Sequence, residues 1–320
     1  MPSEIFRPIP LDALEVAVSG LTRSEDVVVG RDGRLYVSNS QSACAVVEPG
    51  GAIRHVGAAM MPNGIAMDAR GRIVIANMGL VNGGPGHLQR LDPETGVIET
   101  LASHIDGREL VASNFPVVAP DGSIYCSHTT WGPDVSAVMD PGRHDGFVYR
   151  VMPDGGAHVV CDGLAAANGL CFDLAGQVLL VARTAAADVV GIRIFGDGSY
   201  GPPKPFTPRL GDVPALGELG RILGGDSAEA RSRLGHPDGV GITSDGTIWV
   251  TLPFANRVVA VRGGEVHVVI DDPGRQVIDM PTNISWGGPG LSDLYVASLR
   301  NGRIVRTKSP VPGAPLIHQL

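Results

Sequence analysis

Aromatic residues make up only 5% of the 320 residues, and there are only four cysteines. Cys44, Cys126, Cys161 and Cys171 contain no C-x-x-C pair, which removes the usual thiolate zinc site and the redox dithiol. Reduced, buried thiols in a cytoplasmic protein are the expectation. Basic side chains number 25 against 33 acidic ones, a net charge of −8, and no Lys/Arg cluster occurs. A nucleic-acid or anionic-membrane surface is therefore not expected. No apolar run approaches the roughly 20 residues that cross a bilayer, and the stretch 1–20 lacks the cationic and apolar regions of a secretory signal. Absent too are the G-x-S-x-G elbow, the phosphate-binding G-x-x-x-x-G-K, the H-E-x-x-H zinc helix and the dinucleotide-binding glycine spacing. What remains is a cytoplasmic monomer or homodimer whose partner is a small molecule.

Glycine (44) and proline (25) are abundant, which suits a fold rich in turns. One pattern recurs six times: a polar residue, an alternating apolar segment, a tight turn, and a second alternating segment. The copies are EDVVVGRDGRLYVSN from Glu25, NGIAMDARGRIVIAN from Asn63, NFPVVAPDGSIYCSH from Asn114, NGLCFDLAGQVLLVART from Asn168, DGVGITSDGTIWVTL from Asp238 and NISWGGPGLSDLYVASL from Asn283. In the first five, a glycine follows at a fixed offset: Gly33, Gly71, Gly122, Gly176 and Gly246. Alternation of period two about such a turn predicts a β-hairpin, and the segments are too short and too β-branched for helices. Further strands are predicted at Ala43–Glu48 with Ala52–Val56 and at Arg257–Val261 with Glu265–Ile270. Six four-stranded units in one register predict an all-β, six-bladed propeller of antiparallel blades, a single domain over 1–320. Leu14–Val18 is expected to supply the outer strand of the last blade. The insertion 196–235, between the fourth and fifth copies, reads as Gly/Pro-rich chain with a short helix around Ser227–Leu234, either a surface loop or an active-site lid.

In a propeller the first strand of each blade lines the central channel, so the leading residues meet on one rim. Glu25, Asn63, Asn114, Asn168, Asp238 and Asn283 are all oxygen donors, which points to a hard cation. Ca²⁺, with six to eight oxygens at about 2.3–2.6 Å, fits first, and Zn²⁺, Mn²⁺ or Mg²⁺ can accept a similar set. The competing explanation is that Asn or Asp before Gly suits turns because it tolerates left-handed backbone. It covers Asn63, Asn168 and Asp238 but not the other three. His128 and His236 are expected near the rim, to orient substrate or carry a proton.

The segments AANGLCFDLAGQVLLVA around Asn168, HPDGVGITSDGTIWV around Asp238 and PTNISWGGPGLSDLYVAS around Asn283 resemble the gluconolactonase, senescence-marker-protein (regucalcin) and luciferin-regenerating-enzyme family. The likeness runs from about Glu25 to Ser298 and is strongest in these three motifs. It implies one divalent cation held by Glu25, Asn168 and Asp238, with Asn114 on substrate or metal. It also implies a metal-dependent lactonase in which the catalytic Asp238 acts as general base on water or shares a metal-bound water with Glu25. Asn63, Asn114, His128, His236 and Asn283 would contact substrate. Three departures stand out. Glu25-Asp26-Val27-Val28-Val29 replaces E-G-P-x-W, Ala112-Ser113-Asn114-Phe115 replaces R-x-N-D, and Thr184 stands where many members have Asp. The lost Arg argues against a simple sugar lactone. Rival expectations are an organophosphate or ester hydrolase of the diisopropylfluorophosphatase type, a strictosidine-synthase-like biosynthetic propeller, and a ligand-binding propeller.

Overall fold

A computed structural model describes residues 6–58, 61–225 and 227–320; Asp226, inside the insertion, lies outside them. Each hairpin expected from the repeat is present, and the described strands form six four-stranded antiparallel sheets plus one small hairpin. The first blade is Val27–Val29, Leu35–Ser38, Cys44–Val47 and Ile53–Val56, in that order from the axis outward. The inner strands of the next four blades are Pro62–Met67, Ser113–Val118, Ala167–Phe172 and Val240–Ile242. The sixth blade, Pro281–Gly287, Asp293–Ser298 and Arg303–Lys308, takes its outer strand from Glu15–Val18, which pairs antiparallel with Arg303–Lys308. The first and last parts of the propeller therefore share one sheet, and the ring is latched shut.

The turn glycines Gly33, Gly71, Gly122, Gly176 and Gly246 all have φ between 66° and 83°, where a side chain would be strained. Between the blades the alternating apolar residues interlock. Val27, Val29 and Val37 pack with Ala297 and Ile304 across the seam of the ring, and Trp249 meets Trp286 edge-on at 5.8 Å. Full burial of such a side chain is worth roughly 1.5–3 kcal/mol, so contacts repeated around six interfaces hold the ring.

Two features position a site at the rim. The ladder slips at the head of four inner strands: between Pro62 and Ile65, Ser113 and Pro116, Ala167 and Leu170, and Pro281 and Asn283. A bulge frees a residue from pairing and re-aims its side chain. Here it does so at Asn63, Asn114, Asn168 and beside Asn283. At the opposite mouth the segment following the last blade crosses the channel. Ala314 N donates to Ile242 O (3.0 Å), and the Gln319 amide donates to Val29 O and Trp286 O.

The insertion joins the outer strand of the fourth blade, Lys204–Pro205, to the inner strand of the fifth, so it stands at the rim end. Its base is clasped by Asp212 N on Arg233 O (2.7 Å) and Gly235 N on Asp212 O (2.9 Å). Beyond that neck lie two helices, α1 (Leu216–Gly224) and α2 (Ala228–Ser232). The second is the short helix expected around Ser227–Leu234; the first was not expected.

Candidate functional site

Five of the six leading residues are buried at the rim, and Asp238 is half-buried. Close approach of neighbouring blades explains the glycines that follow Asn168 and Asp238. A Cβ on Gly169 would fall within 2.8 Å of Val240 N and even closer to the Asp238 carbonyl oxygen, and one on Gly239 would meet Asn283. Neither glycine has positive φ. Left-handed backbone is thus not why Asn168 and Asp238 precede glycine; each glycine lets the next blade's leading residue move in toward the axis.

One side of the rim presents bare oxygens. The Thr184 hydroxyl donates to Pro237 O at 2.8 Å, so it can only accept from Asn168, whose Nδ2 lies 3.0 Å away. The Asn168 oxygen is turned away from Thr184, buried and without a hydrogen-bond partner; Glu25 Oε2 is also buried and accepts no hydrogen bond, with the Arg23 guanidinium 3.6 Å away. Burial, then the charge of Glu25, pushes the Asp238 carboxyl well above its usual range, partly offset by Arg23 and by a hydrogen bond from Asn168. Glu25 is likewise raised by burial, offset by Arg23 and Asn63. Two carboxylates close enough for the charge of Glu25 to act on Asp238, with oxygens that accept no hydrogen bond on Glu25 and Asn168, fit a hard cation. Among the described residues no three His, Cys, Asp or Glu side chains gather into a metal-sized cluster. A cation here would depend on the Asn168 amide oxygen as well as on Glu25 and Asp238.

The other side is differently made, and sequence reasoning missed its first member. Arg23, whose φ is 55°, directs its guanidinium to Pro62 O (2.7 Å) and Asn63 Oδ1 (2.7 Å), 3.6 Å from Glu25 Oε2. Asn63 Nδ2 in turn approaches Asn114 Oδ1 at 3.2 Å. The Asn114 oxygen is therefore engaged by Asn63.

Asp26 was also missed as a site residue. Its carboxylate accepts from Val27 N and Ile65 N, at 2.7 Å each, and from the Asn283 amide, so it ties the first, second and sixth blades together. Burial pushes its pKa up to about 7 against the pull of these hydrogen bonds. Asn283, expected to face substrate, is thereby turned to the ring seam, with its oxygen against Gly239. Arg23 precedes the repeat, and Asp26 was visible only as a departure from the first-blade E-G-P-x-W motif, at the position after the leading residue where the repeat asks for no particular side chain.

The two histidines differ from expectation. His128 has no exposed surface, lies against Phe147 (ring centroids 4.6 Å apart) and Trp131 (4.1 Å), and offers no face to a substrate. Its Nε2 accepts from Ala112 N at 3.1 Å, so it is unprotonated, and burial lowers the ring pKa to about 3. His236 is buried edge-on to Phe254 (5.1 Å), both ring nitrogens lack partners, and its pKa falls to about 4. Both rings are neutral at physiological pH.

Residues 27–300 match the model of the SMP-30/Gluconolactonase/LRE-like region. The fold is similar to that of a gluconolactonase from Xanthomonas campestris (19% identity, 94% of this chain and 89% of that one, TM-score 0.69). It is also similar to regucalcin, a calcium-binding protein of Agrobacterium tumefaciens (16% identity, 96% and 97%, TM-score 0.71). A curated relative, STRICTOSIDINE SYNTHASE-LIKE 13 of Arabidopsis thaliana, is 25% identical over 164 residues, half of this chain; the match spans 34% of that protein's length.

Proposed function

Because the chain belongs to the SMP-30/gluconolactonase/LRE-like family, we propose that it is a divalent-cation-dependent hydrolase that opens a lactone or other cyclic ester. The observation that carries this reading is the pair of orphaned oxygens, Glu25 Oε2 and Asn168 Oδ1, beside the Asp238 carboxylate. Glu25, Asn168 and Asp238 would hold the cation, with Ca²⁺ the first choice, in keeping with the calcium-binding regucalcin of similar fold. When bound, a divalent cation supplies Lewis-acid polarisation of an acyl carbonyl.

The chain's own residues do the rest. Asp238 accepts a proton from the attacking water at a carboxylate oxygen. Thr184 and Asn168 hold that carboxylate's surroundings fixed. Ala112 stands where the family's R-x-N-D motif carries Arg, so a less polar substrate than a sugar lactone is the fit. The match to a strictosidine-synthase-like protein is the specific observation behind a second, non-hydrolytic reading.

Proton release from sugar, aliphatic and aromatic lactones, followed at constant pH with and without EDTA, tests the proposal. Turnover abolished by EDTA and restored by Ca²⁺, Zn²⁺, Mn²⁺ or Mg²⁺ is expected. A folded, cation-loaded protein inert towards every lactone and ester would overturn the reading.

A further inference from the structure

Hydrogen-bond polarity around the first three blades is forced by chemistry. A guanidinium only donates. Arg23 Nη2 at 2.7 Å therefore claims the Asn63 oxygen, and the Asn63 NH₂ must point the other way. That NH₂ lies 3.2 Å from Asn114 Oδ1 and 3.4 Å from Asn114 O. Being a donor, it fixes Asn114 as well: the Asn114 oxygen turns to Asn63, and neither bond uses the Asn114 N–H groups. Asn114 stands at the head of its inner strand, freed from the ladder by the bulge between Ser113 and Pro116.

Arg23 is itself clamped by Pro62 O and lies close to Glu25, with 19% of its side chain exposed. The rim is thus split in two. Glu25 and Asn168 present bare oxygens, while Arg23, Asn63 and Asn114 form an arc whose free valences are N–H groups.

We propose that Arg23 is a positioning residue that acts through Asn63 to hold the Asn114 amide as a hydrogen-bond donor to the channel. The arc then receives an anionic oxygen, namely the oxyanion or product carboxylate of an acyl substrate. The acyl identity rests on the hydrolase reading above; the polarity of the arc does not. It gives this chain a guanidinium at the rim from the first blade, although the third blade carries Ala112.

Acetate is the probe, titrated into the full-length, Ca²⁺-saturated protein while the Asn114 side-chain amide signals are followed in ¹H–¹⁵N spectra. Acetate should shift those signals in the wild type. Asn63→Leu, which leaves the net charge unchanged and cannot donate, should weaken acetate binding at least ten-fold while the protein is held Ca²⁺-saturated. Arg23→Lys, which keeps both charge and donor, should retain it within about three-fold. Asn63→Ala substitutes if the leucine variant does not fold. Wild-type acetate affinity in the Asn63 variants, or Asn114 signals indifferent to acetate, would overturn the relay. Intact acetate behaviour in a protein that hydrolyses no lactone would instead sink the hydrolase reading and leave the relay standing.

Discussion

Thr184 accepts the Asn168 side-chain amide at 3.0 Å while giving its own hydroxyl proton to Pro237 O at 2.8 Å. The second bond dictates the first, and together they leave the Asn168 oxygen turned from Thr184 and without a hydrogen-bond partner. Where many family members have an acid, this chain has a hydroxyl that orients the Asn168 amide. Thr184→Val removes that control and leaves a buried NH₂ without its partner, so cation affinity should fall about ten-fold, near 1.4 kcal/mol. Thr184→Ser should retain it. Calorimetric titration of the two variants with Ca²⁺ checks this; equal affinities would remove Thr184 from the account.

Asp26 supplies a pH signature. Its folded pKa, about 7, lies above its ordinary 3.8. The folded state therefore holds the proton more tightly, and stability is greatest below the ordinary value and is lost as pH rises through 7. Asp26→Asn removes the charge while keeping an acceptor. In EDTA-treated protein, the variant's stability relative to wild type should rise from pH 4 to pH 8, by roughly 4 kcal/mol at about 1.4 kcal/mol per pKa unit. Denaturant midpoints at several pH values give the answer, and a pH-independent difference would count against it.

Gly169 fits where no side chain can. A Cβ there would press on the Asp238 carbonyl and on Val240 N. Gly169→Ala should cost about 1–3 kcal/mol and weaken cation binding by displacing Asp238. Melting curves with and without Ca²⁺ separate the two effects; a Ca²⁺-induced rise in Tm equal to wild type's would contradict the second.

The insertion is built to be removable. Its neck bonds, Asp212 to Arg233 and Gly235 to Asp212, lie below both helices. Replacing 214–231 by a short Gly-Ser linker should leave Tm within a few degrees and change the relative kcat/KM across a lactone series. A large loss of Tm with unchanged preference would make the segment a structural brace.

The propeller was readable because one register recurs: the leading oxygen donors, the turn glycines and the alternating apolar pairs are visible in a single chain. Helix α1 was not, since Gly217, Gly220 and Gly224 each cost about 1 kcal/mol of helix propensity relative to Ala and its sequence reads as loop. At the site, the residue types were legible but their orientations were not. Asn114 and Asn168 look alike in sequence; one turns its oxygen to Asn63 and the other leaves it bare, because their partners come from different strands and blades. His128 misleads for the same reason, since the residues that bury it, Trp131 and Phe147, lie beyond its own hairpin.

The most direct measurement is calorimetric titration of EDTA-treated protein with Ca²⁺, wild type beside Asp238→Ala. The account predicts one site in the wild type, a rise in Tm on loading, and loss of binding in a variant that still unfolds cooperatively, because inter-blade packing rather than the ion holds the ring. No binding by the wild type, or undiminished binding by Asp238→Ala, would contradict it.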